Sequence, residues 1–399
     1  MLQSADIRPH FLVHAARLLG AGDAVPDGAE GWVRIEGARV RAVGAGAPSG
    51  RADLEFADGW VAPGFVDIHC HGGGGGDFAS ADPESIRRAA RYHARHGTGA
   101  MLASLVAASL DDLCAQLKAV VEVVEAGDTA VRGAHLEGPF LSHARCGAQN
   151  PAHLILPDVA AFERLVEAAR GTLRMITVAP ELPGALDLVR AALRRDVTVA
   201  LGHTDATYEQ CLPAIEAGAT VATHLFNGMR PLHHREPGPV GAALDRGLWC
   251  EVIVDGIHLH PAVLRMAARA ASDRLVAVTD AISAAGLPDG RHELGGQAVV
   301  VTDGTARLAR DASLAGSTLT MRAAVRRCVE AGMSVPVAVR AATRSPSAAA
   351  GLDAYGRIEP GADGRLLHLG SFNVATPFGD GEAARWVGTP VDVDPGGRR

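Results

Sequence analysis

Imidazoles and a carboxylate that could bind a divalent cation stand at the ends of short apolar runs in this sequence. His69 and His71 close the run 64–71, and on a strand two residues at this spacing would point their side chains the same way. Two adjacent imidazoles can chelate one divalent cation. Three more residues of metal-binding type close other runs: Glu137, His203 and His224. Because carboxylates combined with imidazoles suit zinc, iron or a similar ion better than magnesium or calcium, the sequence predicts a transition-metal site.

A further carboxylate, Asp280, closes the apolar run 275–280. A carboxylate that faces a metal-activated water can accept its proton and later pass that proton to a leaving amine. An aspartate at this place could instead cap the helix that follows a strand. Because the candidate ligands occupy the same place after other runs, we interpret Asp280 as a general base and acid.

Eight apolar runs of strand length alternate with amphipathic stretches, and this alternation decides where the candidate residues can meet. The runs are 64–71, 99–106, 131–137, 174–181, 197–203, 220–226, 250–255 and 275–280. The clearest amphipathic stretches are 83–96, 110–125, 158–169 and 261–271. Alternating strands and helices form parallel βαβ units, in a closed barrel or in a doubly wound open sheet. Only the barrel brings the ends of the first and last strands to one mouth, so we predict an α/β fold with a (β/α)₈ TIM-type barrel.

Both ends of the chain predict a second, smaller domain. Short strand signals separated by turns occur in the first part of the chain and again near 366–369. We predict that residues 1–62 and 346–399 form a small β-sandwich domain, and that residues 63–345 form the metal-dependent barrel. The tail from about residue 378 is rich in glycine, proline and charge, and we expect it to be disordered.

The overall composition argues against several classes of protein. The formal net charge of the 399 residues is −7, which disfavours a nucleic-acid-binding surface. The longest apolar stretch, 99–110, is shorter than the roughly 20 residues that a membrane helix needs. The 6 cysteines form no Cys-x-x-Cys pair, and the first ten residues contain no apolar leader segment. We therefore expect a cytoplasmic protein with free thiols that binds neither nucleic acid nor membrane.

The short motifs around the candidate residues resemble those of the N-acetylglucosamine-6-phosphate deacetylases, a family of the amidohydrolase superfamily. The superfamily signature is a His-x-His pair on strand one, single histidines on strands five and six, and an aspartate on strand eight. The similar segments follow in order from about residue 60 to 350: 63–67, 135–140, 202–204, 223–229, 235–238, 255–258, 279–281 and 314–317. The resemblance implies a metal-dependent hydrolase that converts N-acetylglucosamine 6-phosphate to glucosamine 6-phosphate and acetate.

The resemblance also implies a role for each candidate metal-binding and catalytic residue. The residues implied to hold the main ion are Glu137, His203 and His224. His69 and His71 would hold a second ion, so one or two divalent ions are implied, with zinc favoured over iron or another transition metal. Asp280 would act first as general base and then as acid, and His258 would polarise the acetamide carbonyl.

A larger set of residues is implied to bind the substrate: Ala148, Gln149, Asn227, Gly228, Arg235, His258, Leu314, Ala315, Gly316 and Ser317. An arginine provides the cationic fork that a phosphate needs. In this family that arginine comes from a neighbouring subunit, so the resemblance implies a homodimer in which Arg235 reaches the other site.

One departure from the family pattern leaves the substrate open. The family usually has histidine where Gln149 stands, and that residue touches the sugar, although glutamine can also donate and accept hydrogen bonds. Other N-acyl substrates are therefore alternatives, including another acetylated amino sugar or its phosphate, an N-acyl amino acid or a cyclic imide. A non-catalytic barrel that serves as a scaffold is a more distant alternative.

Overall fold

The computed structural model describes residues 10–370 and 384–387. The described residues up to Gly64 and from Ala354 form one compact unit, and Phe65–Asp353 form the other. Most of the tail from about residue 378, which we expected to be disordered, lies outside the described residues.

The first unit contains two small sheets with strands from both ends of the chain. Its strands are β1 His10–Ala15, β2 Gly31–Glu36, β3 Arg39–Ala45, β4 Leu54–Phe56, β5 Trp60–Pro63, β19 Leu366–Leu369 and β20 Ala384–Val387. One sheet has the order β3-β2-β1-β4 and the other β20-β19-β5. Alternate residues of the first sheet, such as Val13 and Val33, are buried and pack with Val61 and Leu366 of the second. The predicted small β domain is confirmed.

The second unit is built on eight parallel strands. In chain order they are β6 Phe65–Asp67, β9 Thr98–Val106, β10 Val131–Glu137, β11 Leu173–Val178, β12 Thr198–Leu201, β13 Val221–Ala222, β14 Trp249–Ile253 and β15 Leu275–Val278. Each strand pairs with the next along the chain. The backbone N–H of Asp280 donates to the carbonyl of His69 at 2.8 Å, which joins the last strand to the first just beyond their ends. The predicted barrel is confirmed, and the open doubly wound sheet is wrong.

Helices follow the barrel strands, and several of them begin at a capping side chain. They are α1 Pro83–Arg95, α2 Leu110–Ala126, α3 Val159–Ala169, α4 Ala185–Arg194, α5 Tyr208–Ala217, α6 Gly238–Asp245, α7 Pro261–Ala271, α8 Met321–Glu330, α9 Val335–Ala341 and α10 Arg344–Ala349. The side chains of Asp82, Ser109 and Asp158 accept backbone N–H groups at the starts of α1, α2 and α3. Among the described residues, no helix combines the length and the apolar character needed to cross a membrane.

Two insertions lie at the carboxyl-terminal ends of the barrel strands. A two-stranded ribbon, β7 Gly72–Gly73 with β8 Gly76–Asp77, follows the first barrel strand. A three-stranded antiparallel sheet follows the last one, with strands β16 Gly290–Leu294, β17 Gln297–Thr302 and β18 Thr305–Leu308. Leu294 and Val299 of this sheet pack against Val106 at the end of β9 and Ile282 beyond β15. The sheet therefore covers part of the barrel mouth.

Candidate metal centre

The five predicted metal ligands meet in one buried cluster at the barrel mouth. Two overlapping groups, His69–His71–Glu137 and Glu137–His203–His224, each hold their candidate ligand atoms within 4.8 Å of one another. Oε1 of Glu137 lies 2.9 Å from Nε2 of His224 and 3.1 Å from Nε2 of His203. Its Oε2 lies 3.2 Å from Nε2 of His71. This set of donors fits zinc or a similar ion, and Glu137 belongs to both groups.

Sharp backbone turns just beyond the strands aim these side chains at one point. Glu137 is the last residue of β10. Four others lie two residues past the end of their strands: His69, His203, His224 and Asp280. The prediction that these four residues and His71 end their strands is wrong in this detail. After three of the strands, positive φ values of 46°, 29° and 48° at His203, His224 and Asp280 interrupt the extended backbone. Such conformations are unfavourable for residues other than glycine and concentrate at functional sites.

Opposite charges dominate the electrostatics of the cluster. Burial alone raises the pKa of Glu137, but His69 and His203 hold that pKa well below its usual range. Burial lowers the pKa of His71, whereas its hydrogen bonds with Asp280 and Glu137 raise it. The hydrogen bonds outweigh burial, and the pKa of His71 is about 9. The carboxylates therefore favour positive charge among the imidazole nitrogens. A divalent cation bound by neutral imidazoles would supply that charge in place of protons.

Hydrogen-bond acceptors fix the orientation of two of the imidazole rings. Nδ1 of His71 lies 3.1 Å from the carbonyl oxygen of Ser104, and Nδ1 of His203 lies 2.9 Å from that of Arg145. A carbonyl oxygen can only accept, so each Nδ1 carries a proton, and in the neutral ring Nε2 keeps its lone pair for a metal.

A buried acid that the sequence analysis missed performs the same task for His69. Oε2 of Glu251, on β14, lies 3.0 Å from Nδ1 of His69, and both side chains are fully buried. The signal in the sequence was an acidic residue within the apolar run 250–255, at its second position. In a protein interior such a residue needs a hydrogen-bonding or oppositely charged partner, and this requirement could have identified it as a site residue.

Asp280 stands beside the ligand cluster. Its Oδ1 lies 3.1 Å from Nε2 of His71 and 3.5 Å from Nε2 of His69. Burial raises the pKa of Asp280, but the two histidines lower it below its ordinary value, so the carboxylate is charged at neutral pH. A charged carboxylate in this place could accept a proton from a water held in the cluster.

The segment predicted to line the acetyl end of the site borders Asp280. It consists of Leu314, Ala315, Gly316 and Ser317. The backbone N–H of Ser317 donates to the Asp280 carbonyl at 2.7 Å. Gly316 approaches the same carbonyl so closely that a Cβ would lie 2.7 Å from its oxygen, which explains why glycine is needed there. Ala315 and Ser317 are buried, and Leu314 is partly exposed.

His258, predicted to contact the acetamide carbonyl, is held by Asp255. Nδ1 of His258 lies 2.6 Å from Oδ2 of Asp255, whose Oδ1 accepts the backbone N–H of His258 at 2.9 Å. Burial lowers the pKa of His258, but this hydrogen bond and the charge of Asp280 raise it above its ordinary value. A protonated imidazole can donate a hydrogen bond to a carbonyl oxygen. Asp255 was also missed as a site residue, although it opens the motif 255–258.

Both the nitrogen and the oxygen of the Gln149 side-chain amide form hydrogen bonds. Its Nε2 donates to Oε2 of Glu137 at 2.6 Å, and its Oε1 accepts the backbone N–H of Ala107 at 2.8 Å. Because a carboxylate only accepts and an N–H only donates, these partners fix the orientation of the amide. Neighbouring Ala148 is partly buried, and its carbonyl accepts a hydrogen bond from Gln297. The structure therefore places Gln149 against a candidate ligand.

The residues predicted to bind the sugar phosphate occupy the segment after β13. Nδ2 of Asn227 donates to the carbonyl of His224 at 3.2 Å. A Cβ at Gly228 would lie 2.9 Å from Nδ1 of His203, so both residues adjoin the ligands. Arg235 is exposed, and its Nη1 lies 2.8 Å from Nε2 of His234. Within the described part of this single chain, Arg235 forms no hydrogen bond to the cluster.

A third group of possible ligands, Asp67, Cys70 and His93, lies buried next to the first barrel strand. Oδ2 of Asp67 accepts from the hydroxyl of Thr279 at 2.6 Å. Nε2 of His93 lies 2.8 Å from the carbonyl oxygen of Gly72 and 3.3 Å from the sulfur of Cys70. Because these polar atoms already contact one another or nearby hydrogen-bonding groups, we interpret the group as buried polar packing and not as a metal site.

A profile of the Amidohydrolase family matches residues 60–389 of the chain. The chain is 39% identical over 316 residues to the N-acetylgalactosamine-6-phosphate deacetylase of Escherichia coli O157:H7, which covers 78% of this chain and 84% of that protein. It is 39% identical over 277 residues to the N-acetylglucosamine-6-phosphate deacetylase of Lysinibacillus sphaericus, covering 68% of this chain and 71% of that protein.

Solved structures extend the similarity to three dimensions. A mutant N-acetyl-D-glucosamine-6-phosphate deacetylase from Mycobacterium smegmatis, in complex with N-acetyl-D-glucosamine-6-phosphate, is 42% identical and superposes with a TM-score of 0.86. The match covers 91% of this chain and 96% of that one. The N-acetylglucosamine-6-phosphate deacetylase of Thermotoga maritima is 31% identical, with a TM-score of 0.82 over 90% of this chain and 95% of that one.

Proposed function

Because the chain belongs to the amidohydrolase family, and within it to the N-acetylglucosamine-6-phosphate deacetylases, we propose that it hydrolyses the acetamide of N-acetylglucosamine 6-phosphate. The products are acetate and glucosamine 6-phosphate. The observation that carries the proposal is the buried cluster in which Glu137 contacts four imidazoles while Asp280 stands beside them. This combination of ligands and base is suited to metal-dependent hydrolysis.

The proposed mechanism divides the chemistry among the residues of the cluster. A divalent cation, for which zinc is the best candidate, would be held by Glu137, His203 and His224 and would supply Lewis-acid activation of water and of the acetamide carbonyl. Asp280 takes a proton from the attacking water as the new C–O bond forms. It passes this proton to the sugar nitrogen as the C–N bond breaks. His258 donates a hydrogen bond to the carbonyl oxygen, where negative charge develops.

We also propose that a second ion binds at His69 and His71, and that the enzyme acts in the cytoplasm as a homodimer. The exposed position of Arg235 supports the dimer, because a guanidinium that does not reach its own cluster is free to reach a neighbouring one. The planar guanidinium of Arg235, placed at the neighbouring site, would hold the phosphate of the substrate through charge-assisted hydrogen bonds.

We expect purified protein to release acetate from N-acetylglucosamine 6-phosphate with a kcat/KM about 10- to 100-fold above that for unphosphorylated N-acetylglucosamine. The expected factor reflects charge-assisted hydrogen bonds to the phosphate, each worth roughly 1.5–3 kcal/mol. N-acetylgalactosamine 6-phosphate is a second candidate, because a relative named for that substrate is equally similar to the chain. An acetate assay on both sugars, with and without phosphate, ranks the candidates, and no release from any of them would contradict the proposed function.

Replacing Arg235 by alanine is expected to raise the KM for the phosphorylated sugar by about 10- to 100-fold, because the phosphate loses a charge-assisted partner. The KM for the unphosphorylated sugar should change little. Arg190→Ala, on the exposed face of α4, removes an equal charge away from the barrel mouth and serves as the matched control. An equal increase in KM for both sugars would show that Arg235 does not bind the phosphate.

A further inference from the structure

Glu251 contacts one residue in each of the two overlapping ligand groups. Its Oε2 lies 3.0 Å from Nδ1 of His69, which belongs to the first group. The same oxygen accepts the backbone N–H of His224, from the second group, at 3.1 Å. The backbone at His224 has a positive φ of 29°, so this hydrogen bond also stabilises an unfavourable conformation. One carboxylate oxygen thereby fixes a ligand in each group.

His69 differs from the other candidate ligands in the kind of acceptor at its Nδ1. The acceptors for His71 and His203 are neutral backbone carbonyls. The acceptor for His69 is a carboxylate, which allows only the tautomer with the proton on Nδ1 and makes Nε2 a stronger donor to a metal. That Nε2 points at the cluster, 3.3 Å from Nε2 of His71 and 3.3 Å from Oε1 of Glu137.

The surroundings of Glu251 show that it does not serve stability alone. Its neighbours on β14, such as Cys250, Val252 and Ile253, are apolar and buried. Oε1 of Glu251 is buried without a hydrogen-bond partner among the described residues. An unpartnered carboxylate oxygen in a protein interior is costly, and an apolar side chain would avoid that cost. Positioning of His69 accounts for an acid at this place.

We propose that Glu251 is a positioning residue that holds His69 in the orientation needed to bind the second metal ion. The inference rests on the proposed metal centre and adds a residue to it. Glu251 contacts the side chain of His69 but only the backbone of His224. Loss of its carboxylate therefore weakens metal binding at His69 and His71 more than at the group containing Glu137, His203 and His224.

The test compares zinc binding by the wild-type protein, Glu251→Gln and Glu251→Leu. Each protein is stripped of metal, loaded with zinc and titrated against a chromophoric chelator. We expect two zinc ions per wild-type chain and, in Glu251→Gln, a dissociation constant for the weaker ion about 10- to 100-fold higher, with the tighter ion changed much less. Glu251→Gln keeps the shape and one acceptor oxygen, so it remains informative if Glu251→Leu fails to fold. Nitrogen-15 NMR of the histidine rings reports directly whether His69 loses its fixed tautomer.

Asp255→Asn is the matched control, because it makes the same change in a carboxylate–histidine pair whose histidine is outside the ligand cluster. Its zinc stoichiometry and dissociation constants should equal those of the wild type. Two ions bound with unchanged constants in both Glu251 variants would overturn the positioning role. A single ion in the wild type would also overturn it while leaving deacetylation possible, whereas a wild-type chain that binds no zinc or other divalent ion would contradict the proposed function itself.

Discussion

Asp280→Asn is expected to lower kcat for acetate release by about 10²- to 10⁴-fold, the usual contribution of a positioned general base and acid. Asparagine has nearly the same shape, but it cannot accept the proton of the attacking water or return it to the sugar nitrogen. The pKa of Asp280 lies below its ordinary value because the lowering by His69 and His71 outweighs the effect of burial. The wild-type Asp280 carboxylate is therefore charged throughout the neutral range, and we expect the variant to lose activity at every pH in that range. Steady-state acetate assays from pH 6 to 8 measure the effect.

Two measurements distinguish lost proton transfer from a damaged site. Metal content and melting temperature of Asp280→Asn should stay close to those of the wild type, because Glu137 and the four histidines are unchanged. Asp187→Asn, at an exposed position on α4, makes the same chemical change without touching the cluster and should keep wild-type kcat. If Asp280→Asn with normal metal content retained more than about a tenth of wild-type kcat, another group would have to carry the proton.

The elements that position the site were predictable because their signals are local. A proline or a capping side chain marks the start of a helix, and an amphipathic pattern marks its extent. The predicted stretches 83–96 and 261–271 agree with α1 and α7 to within one residue. The order of the barrel strands also follows from the chain, since each strand pairs with the next.

The exact placement of the functional side chains was less accessible from the sequence. Six of the eight barrel strands were predicted to end two to four residues too late, because an apolar run does not show where φ becomes positive, as it does at His203 and Asp280. Glu251 was missed because its partner His69 lies 182 residues away and only barrel closure brings the two together. Gln149 was interpreted from its place in a motif, whereas its contact with Glu137 depends on how the loop after β10 folds back.

The placement of Glu137 at the centre of the cluster leads to the second large expected effect. Glu137 is the one residue shared by both ligand groups. Glu137→Gln keeps the size of the side chain but replaces the negative charge among four imidazoles with a neutral amide. We expect the variant to lose the proposed metal binding and to have a kcat lower by about 10³-fold or more, because activated water is no longer available at neutral pH. Metal analysis of the purified protein and the acetate assay measure the two losses.

Thermal unfolding tests whether that loss of activity comes from the metal. A ligand that binds only the folded state stabilises it by RT ln(1 + [L]/Kd), which is about 4.1 kcal/mol when the free ligand is at 1,000 times Kd. Removing the ion from the wild type with a chelator should therefore lower its Tm, whereas the chelator should leave the Tm of Glu137→Gln unchanged. Asp187→Asn should respond to the chelator as the wild type does. An equal chelator-induced shift in Glu137→Gln and the wild type would mean that the stabilising ion is bound elsewhere, and Glu137 would then have to be removed from the metal centre.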